Sequence, residues 1–86
     1  MNERKIILKN KIEEIRRMSE FLEGISNELN LSIENAFNIN LAIEEAVTNV
    51  IMYALPTEEE HDFELNVEHI ENQLIFKLIG HMLVIF

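Results

Sequence analysis

Cysteine is absent from this 86-residue chain, which excludes disulfides and thiolate metal sites and removes the usual staples of a small secreted domain. A reducing compartment, the cytoplasm, is therefore the expected setting. Glycine occurs only as Gly24 and Gly80, and proline only as Pro56. Long apolar runs are lacking too: the stretch 82–86 is far short of the roughly 20 residues that span a bilayer, so no membrane segment is expected. The opening Met1-Asn2-Glu3-Arg4-Lys5 runs into a mixed polar and apolar pattern, without the apolar core of a secretory leader.

Basic residues are scarce over most of the chain. The formal charge is −9, from 16 acidic and 7 basic side chains. Arg4, Lys5, Lys9, Lys11, Arg16 and Arg17 all lie near the start, and only Lys77 follows them. An acidic body repels phosphate backbones, so nucleic-acid binding is not expected, whereas the basic first segment could dock on an acidic partner or on another copy of the chain. The length allows one small domain, residues 1–86, and a chain of this size buries only about 60% of its unfolded surface, so the core must be thin.

Hydrophobic periodicity gives the element order. Residues 5–9 read as a short strand, placed at a sheet edge. Over 11–27 the apolar positions Ile12, Ile15, Met18, Phe21, Leu22 and Ile25 recur at three and four, as an amphipathic helix requires. The break at Asn30-Leu31-Ser32 follows. Ser32 can cap a second helix over 33–54, with Glu34 in its positive first turn, and Pro56 ends it. Residues 57–62 read as an acidic loop. Period two then takes over, with Phe63, Leu65 and Val67 alternating with Asp62, Glu64, Asn66 and Glu68. Glu71-Asn72-Gln73 offers a turn, with Asn72 the residue best suited to a left-handed conformation, and 74–79 gives a second strand. This order, β-α-α-β-β and a tail, predicts an α+β fold in which two helices pack on one face of a small, mostly antiparallel sheet.

The second helix carries the most informative pattern. At roughly 100° per residue, Glu45 and Asn49 stack one turn apart and about 40° apart around the axis, sharing a side with Asn38, Leu41, Ala42, Thr48 and Met52. Ala36, Ile39, Ile43, Ala46, Val47, Val50 and Ala54 form an apolar stripe that would face the core. The helix thus buries one side and presents a carboxylate and a carboxamide on another.

This pattern resembles the anti-sigma regulatory factors of the serine-protein kinase type, within the histidine-kinase-like (GHKL) ATPase superfamily. The resemblance spans residues 6–79 and rests on the element order and on Ile43-Glu44-Glu45-Ala46-Val47-Thr48-Asn49, which looks like the family's N-box, followed by an aromatic or histidine position filled by Tyr53. It implies that Glu45 is the general base activating the group that attacks the γ-phosphate, that Asn49 holds Mg²⁺ on the nucleotide, and that Tyr53 belongs to the cofactor-binding set. ATP and Mg²⁺ are the implied cofactors, and a sigma factor and an anti-sigma antagonist the implied partners. A carboxylate beside a desolvated phosphate can accept a proton, and an amide oxygen is a hard neutral ligand suited to hydrated Mg²⁺.

The family's next motif is missing. An Asp that reads the adenine amino group, with a nearby Gly, should follow the strand at 74–79. Here Gly80-His81-Met82-Leu83-Val84-Ile85-Phe86 follows, and no aspartate occurs after Asp62. The glycine-rich lid and the last strands of the family's sheet are lacking as well. The expectation is a truncated, incomplete histidine-kinase-like ATPase fold: a fragment or frame-altered product, a naturally shortened relative, or a portion whose missing strands come from another copy. An apolar edge left open over 74–86 would favour a homo-oligomer, with strands exchanged between copies.

Other chemical candidates carry less. His61, His69 and His81 have no metal-ligand spacing, Ser19, Ser26 and Ser32 lack a nucleophile-elbow context, and Met18, Met52 and Met82 read as packing residues. Two functions remain open. One is an ATP-dependent serine/threonine protein kinase and anti-sigma factor in transcription regulation; the other is a non-catalytic protein–protein interaction module that binds no nucleotide tightly.

Overall fold

Alternation along one strand sets the whole architecture. In the computed structural model, which describes residues 3–54, 60–80 and 83–85, Phe63, Leu65 and Val67 of β2 (Asp62–Ile70) are all buried, while their neighbours in sequence point to the opposite face. β2 pairs antiparallel with β1 (Glu3–Lys9) on one side and with β3 (Gln73–Gly80) on the other. β4 (Leu83–Ile85) adds to β3, giving a four-stranded antiparallel sheet in the order β1-β2-β3-β4. The register aligns Ile6 with Leu65 and Leu78, and Leu8 with Phe63, so one face of the sheet is continuously apolar.

Both helices cover that face. α1 (Ile15–Glu28) buries Met18, Leu22 and Ile25, the three- and four-residue spacing that was expected to make its inner stripe. α2 (Ile33–Asn49) supplies Val47, and the turn after it supplies Val50 and Ile51, with Ile43 and Ala46 packed alongside. The α+β class and the helix pair on one sheet face agree with the sequence pattern. A strand at 83–85 stands where the sequence pattern gives only a tail, and the order becomes β-α-α-β-β-β. Among the described residues the sheet is wholly antiparallel.

Among the described residues no helix covers the opposite sheet face. Asn66, which lies between Lys5 and Lys77 in the register, is nevertheless buried there; its amide donates to Glu3 and Glu64, while its Oδ1 has no partner. Lys77 donates to Glu68 at 2.8 Å. These long side chains lie along the pleat and shield the amide between them.

Helix ends are made by specific caps. Ser32 Oγ accepts from the Asn35 N–H at 3.1 Å, and Glu34 sits in the first turn of α2, as expected. The end of α1 was not foreseen. Asn30 takes a left-handed backbone (φ 60), the Leu31 N–H reaches Ser26 O and the Asn30 N–H reaches Asn27 O, the paired bonds of a Schellman motif. Asparagine is the non-glycine residue that tolerates this conformation best. At the hairpin the expectation needs correction: Glu71 (φ 56), not Asn72, is the left-handed residue of the two-residue turn. Pairing of Ile70 with Gln73 makes Glu71 the first loop residue, and the strand twist demands positive φ there whatever side chain occupies it.

Two further boundaries moved. The helix expected from residue 11 begins with a 3-10 turn, Ile12–Glu14, and the Glu14 carboxylate accepts from the Lys9 N–H and from Arg17, tying β1 to α1. The helix expected to reach 54 keeps α geometry only to Asn49 and continues as a π turn over Val50–Ala54. Val50 and Ile51, three and four residues after Val47, both enter the core. Pro56 as terminator and residues 57–59 of the expected loop lie outside the described residues.

Where β2 begins, Glu60 bonds both Lys9 and Lys11, Lys11 at 2.9 Å, and clasps the start of β2 to the end of β1. The hydrogen bond from Lys9, then that from Lys11, holds the Glu60 carboxyl down at about 2, and the same contact raises Lys9. A depressed folded-state value means that this clasp stabilises the fold above the ordinary carboxylate range and loses its effect as pH falls toward 2. NMR titration should place the Glu60 midpoint near 2 in low salt, moving upward in Lys9→Gln and, because the group is exposed, in high salt. An ordinary midpoint near 4.5 would refute the clasp.

Candidate functional site

The outer side of α2 concentrates the unusual chemistry. Residues stepping by four from the first turn form a ridge that winds by about 40° at each step, so its start and its end face different directions. That ridge reads Ile33, Phe37, Leu41, Glu45 and Asn49, with Phe37 on the inter-helix groove and the last three on a separate hollow. Ile33 is 91% exposed, Phe37 65% and Leu41 56%, a dense set of large apolar side chains left in water. Glu45 and Asn49 are exposed as well.

Glu45 and Asn49 do come together. With Leu41, Glu44 and Thr48 they line an open hollow of about 230 Å³. Each of these five residues belongs to α2, so among the described residues the hollow is a furrow along one helix without a second wall from the sheet. A second hollow, of about 240 Å³, lies between the helices; Leu22 and Ser26 of α1 line it together with Ala36, Phe37 and Asn40 of α2. Phe37 borders this groove and Leu41 borders the furrow.

Tyr53, the third residue assigned by resemblance, is 81% exposed and lies beyond the start of the π turn. Met52 is half-exposed beside it, Met18 is buried core, and Met82 lies outside the described residues. His61 is tied by its backbone to Asn10, its N–H reaching Asn10 Oδ1 at 2.8 Å, and His69 pairs with Leu74 in the hairpin. His81 lies outside the described residues. Among the described residues there is no group of three His, Asp or Glu placed to hold a metal ion, and no helix is long and apolar enough to cross a membrane.

The electrostatics of the face are one-sided. α2 carries Glu34, Glu44 and Glu45 and no basic residue. Glu45 and Asn49 offer hard oxygen donors of the kind Mg²⁺ accepts. A nucleotide fits less well: among the described residues the furrow has no cationic side chain for phosphate and no second wall, and it is smaller than the about 300–1,000 Å³ of small-molecule pockets. The apolar half of the ridge, Ile33 and Phe37, was not singled out by the sequence reading. Its signal was available, since both fall outside the core stripe at the spacing that leads to Leu41 and Glu45.

Comparison with known proteins found no match: no family model, no curated protein and no solved structure is similar to this chain.

Proposed function

We propose that this chain is an anti-sigma regulatory factor of serine-protein kinase ancestry, with an incomplete histidine-kinase-like ATPase fold, that works by binding protein and holds ATP poorly or not at all. The observation that supports this reading is the outer ridge of α2, where three large apolar side chains stand in water and lead directly to Glu45 and Asn49. Exposed apolar surface of that kind on a small domain marks a place where another macromolecule sits. Among the described residues the same ridge offers neither of the things a nucleotide needs, phosphate-neutralising cations and an enclosing wall. In this reading Glu45, Asn49 and Tyr53 are inherited positions on a surface whose present work is recognition of a sigma factor or its antagonist.

A second reading, an active ATP-dependent serine/threonine kinase with Glu45 as base and Asn49 on Mg²⁺, is favoured by one observation, the convergence of those two side chains on a single hollow. Titration calorimetry with Mg-ATP separates the two. No saturable heat is expected up to millimolar nucleotide, equivalent to binding weaker than about −4 kcal/mol. Micromolar affinity that disappears in Asn49→Ala would overturn the first reading and install the second.

A further inference from the structure

Resting on the interaction-module reading above, we propose that the ridge of α2 and the groove beside it are a seat for an amphipathic helix of a different protein, one whose apolar stripe is flanked by lysine and arginine. Shape points to a helix. Ile33, Phe37 and Leu41 repeat at four residues, and hollows of about 240 Å³ and 230 Å³ border Phe37 and Leu41 respectively. A ridge at that spacing, bordered by furrows, is the relief into which the side-chain rows of a second helix pack.

Charge identifies the partner. Glu23 lines the inter-helix groove, Glu44 and Glu45 line the furrow, and no Lys or Arg occurs in the sequence between Arg17 and Lys77. The rim is therefore acidic around an apolar centre, and a helix with basic flanks and an apolar stripe complements both. The same charge disfavours the other occupants. A second copy docking α2 against α2 would set these carboxylates against one another. Helix α1 of a second copy offers no substitute, because Glu20, Glu23 and Glu28 outnumber its Arg16 and Arg17 and its exposed positions, among them Arg16, Arg17, Glu20, Glu23 and Asn27, hold no apolar side chain to fill the hollows. Anionic lipid and nucleic acid would both be repelled.

Synthetic helical peptides of about 18 residues, five turns, provide the probe. One carries leucines at a helical spacing of three and four with Lys flanks; a second has Glu in place of Lys; a third keeps the composition of the first with its order scrambled. Calorimetry should show saturable binding of the first alone, weakened at least tenfold by Phe37→Glu with Leu41→Glu and by raising the salt. Amide shifts in an NMR titration should map to residues 33–49 and to the inter-helix groove. Both substituted positions are exposed, and an unchanged thermal transition shows that the variant is folded.

Equal binding of the scrambled or Glu-flanked peptide, no binding of the first, or shifts confined to the uncovered sheet face would overturn the proposal. Self-association of the chain abolished by the same double substitution would overturn it in favour of a second copy. Failure here leaves the interaction-module reading standing, because that reading falls only if Mg-ATP binds.

Discussion

Val47→Asp unfolds the protein at neutral pH. Val47 is fully buried on the inner side of α2, in the cluster with Met18, Leu65 and Val50. An aspartate there must either ionise without a counter-charge, at a cost of several kcal/mol, or take up a proton against its ordinary range, which is also costly. A domain of this size has only about 5–10 kcal/mol to lose. The expected readout is loss of the cooperative thermal transition in circular dichroism. Leu41→Asp, six positions earlier on the exposed side, should stay within about 0.5 kcal/mol of the parent. The contrast reads the rotation of α2 about its own axis. Similar penalties at both positions would mean that Glu45 and Asn49 do not face outward, and every functional statement about the ridge would fall with them.

Leu65→Ala is expected to cost about 2–5 kcal/mol, from lost transfer free energy and from the cavity left in the sheet centre. Leu65 is fully buried and sits between Ile6 of β1 and Leu78 of β3, where both helices close over the sheet. Neighbours on both sides are held by strand pairing and cannot collapse into the gap, which favours the upper part of that range. For a domain of this length each kcal/mol lowers Tm by about 4–8 °C, so a fall of at least 8 °C is expected in scanning calorimetry. A shift under about 2 °C would mean that the sheet centre is not the core.

Much of the fold was legible because period two and period 3.6 are visible without tertiary information. Phe63, Leu65 and Val67 announce a half-buried strand, and Met18, Leu22 and Ile25 announce the inner side of a helix. Ser32 was readable as a cap since its chemistry is local. The failures were of another kind. The left-handed residue at Glu71 follows from strand register, which the local preference of Asn72 for turns does not reveal. The π turn at Val50–Ala54 left no mark in the hydrophobic pattern, since Val50 and Ile51 follow Val47 at three and four residues, as a regular helix would also place them. At the candidate site, the outward side of Glu45 and Asn49 was legible from helical periodicity, whereas the exposed ridge at Ile33 and Phe37 was not, because apolar residues at helical spacing are ordinarily core. Only the position of the sheet decides which of two apolar stripes is inside.

The pairing of β1 imposes an order on events during synthesis. Asn10 and His61, which close the end of that ladder, are 51 positions apart, while the hairpin of β2 and β3 closes over two residues. β1 leaves the ribosome ahead of its partner and must therefore wait, with Ile6 and Leu8 unprotected, until both helices and β2 have been made. Its lysines, Lys5 and Lys9, keep that waiting segment charged and so discourage premature association between nascent chains.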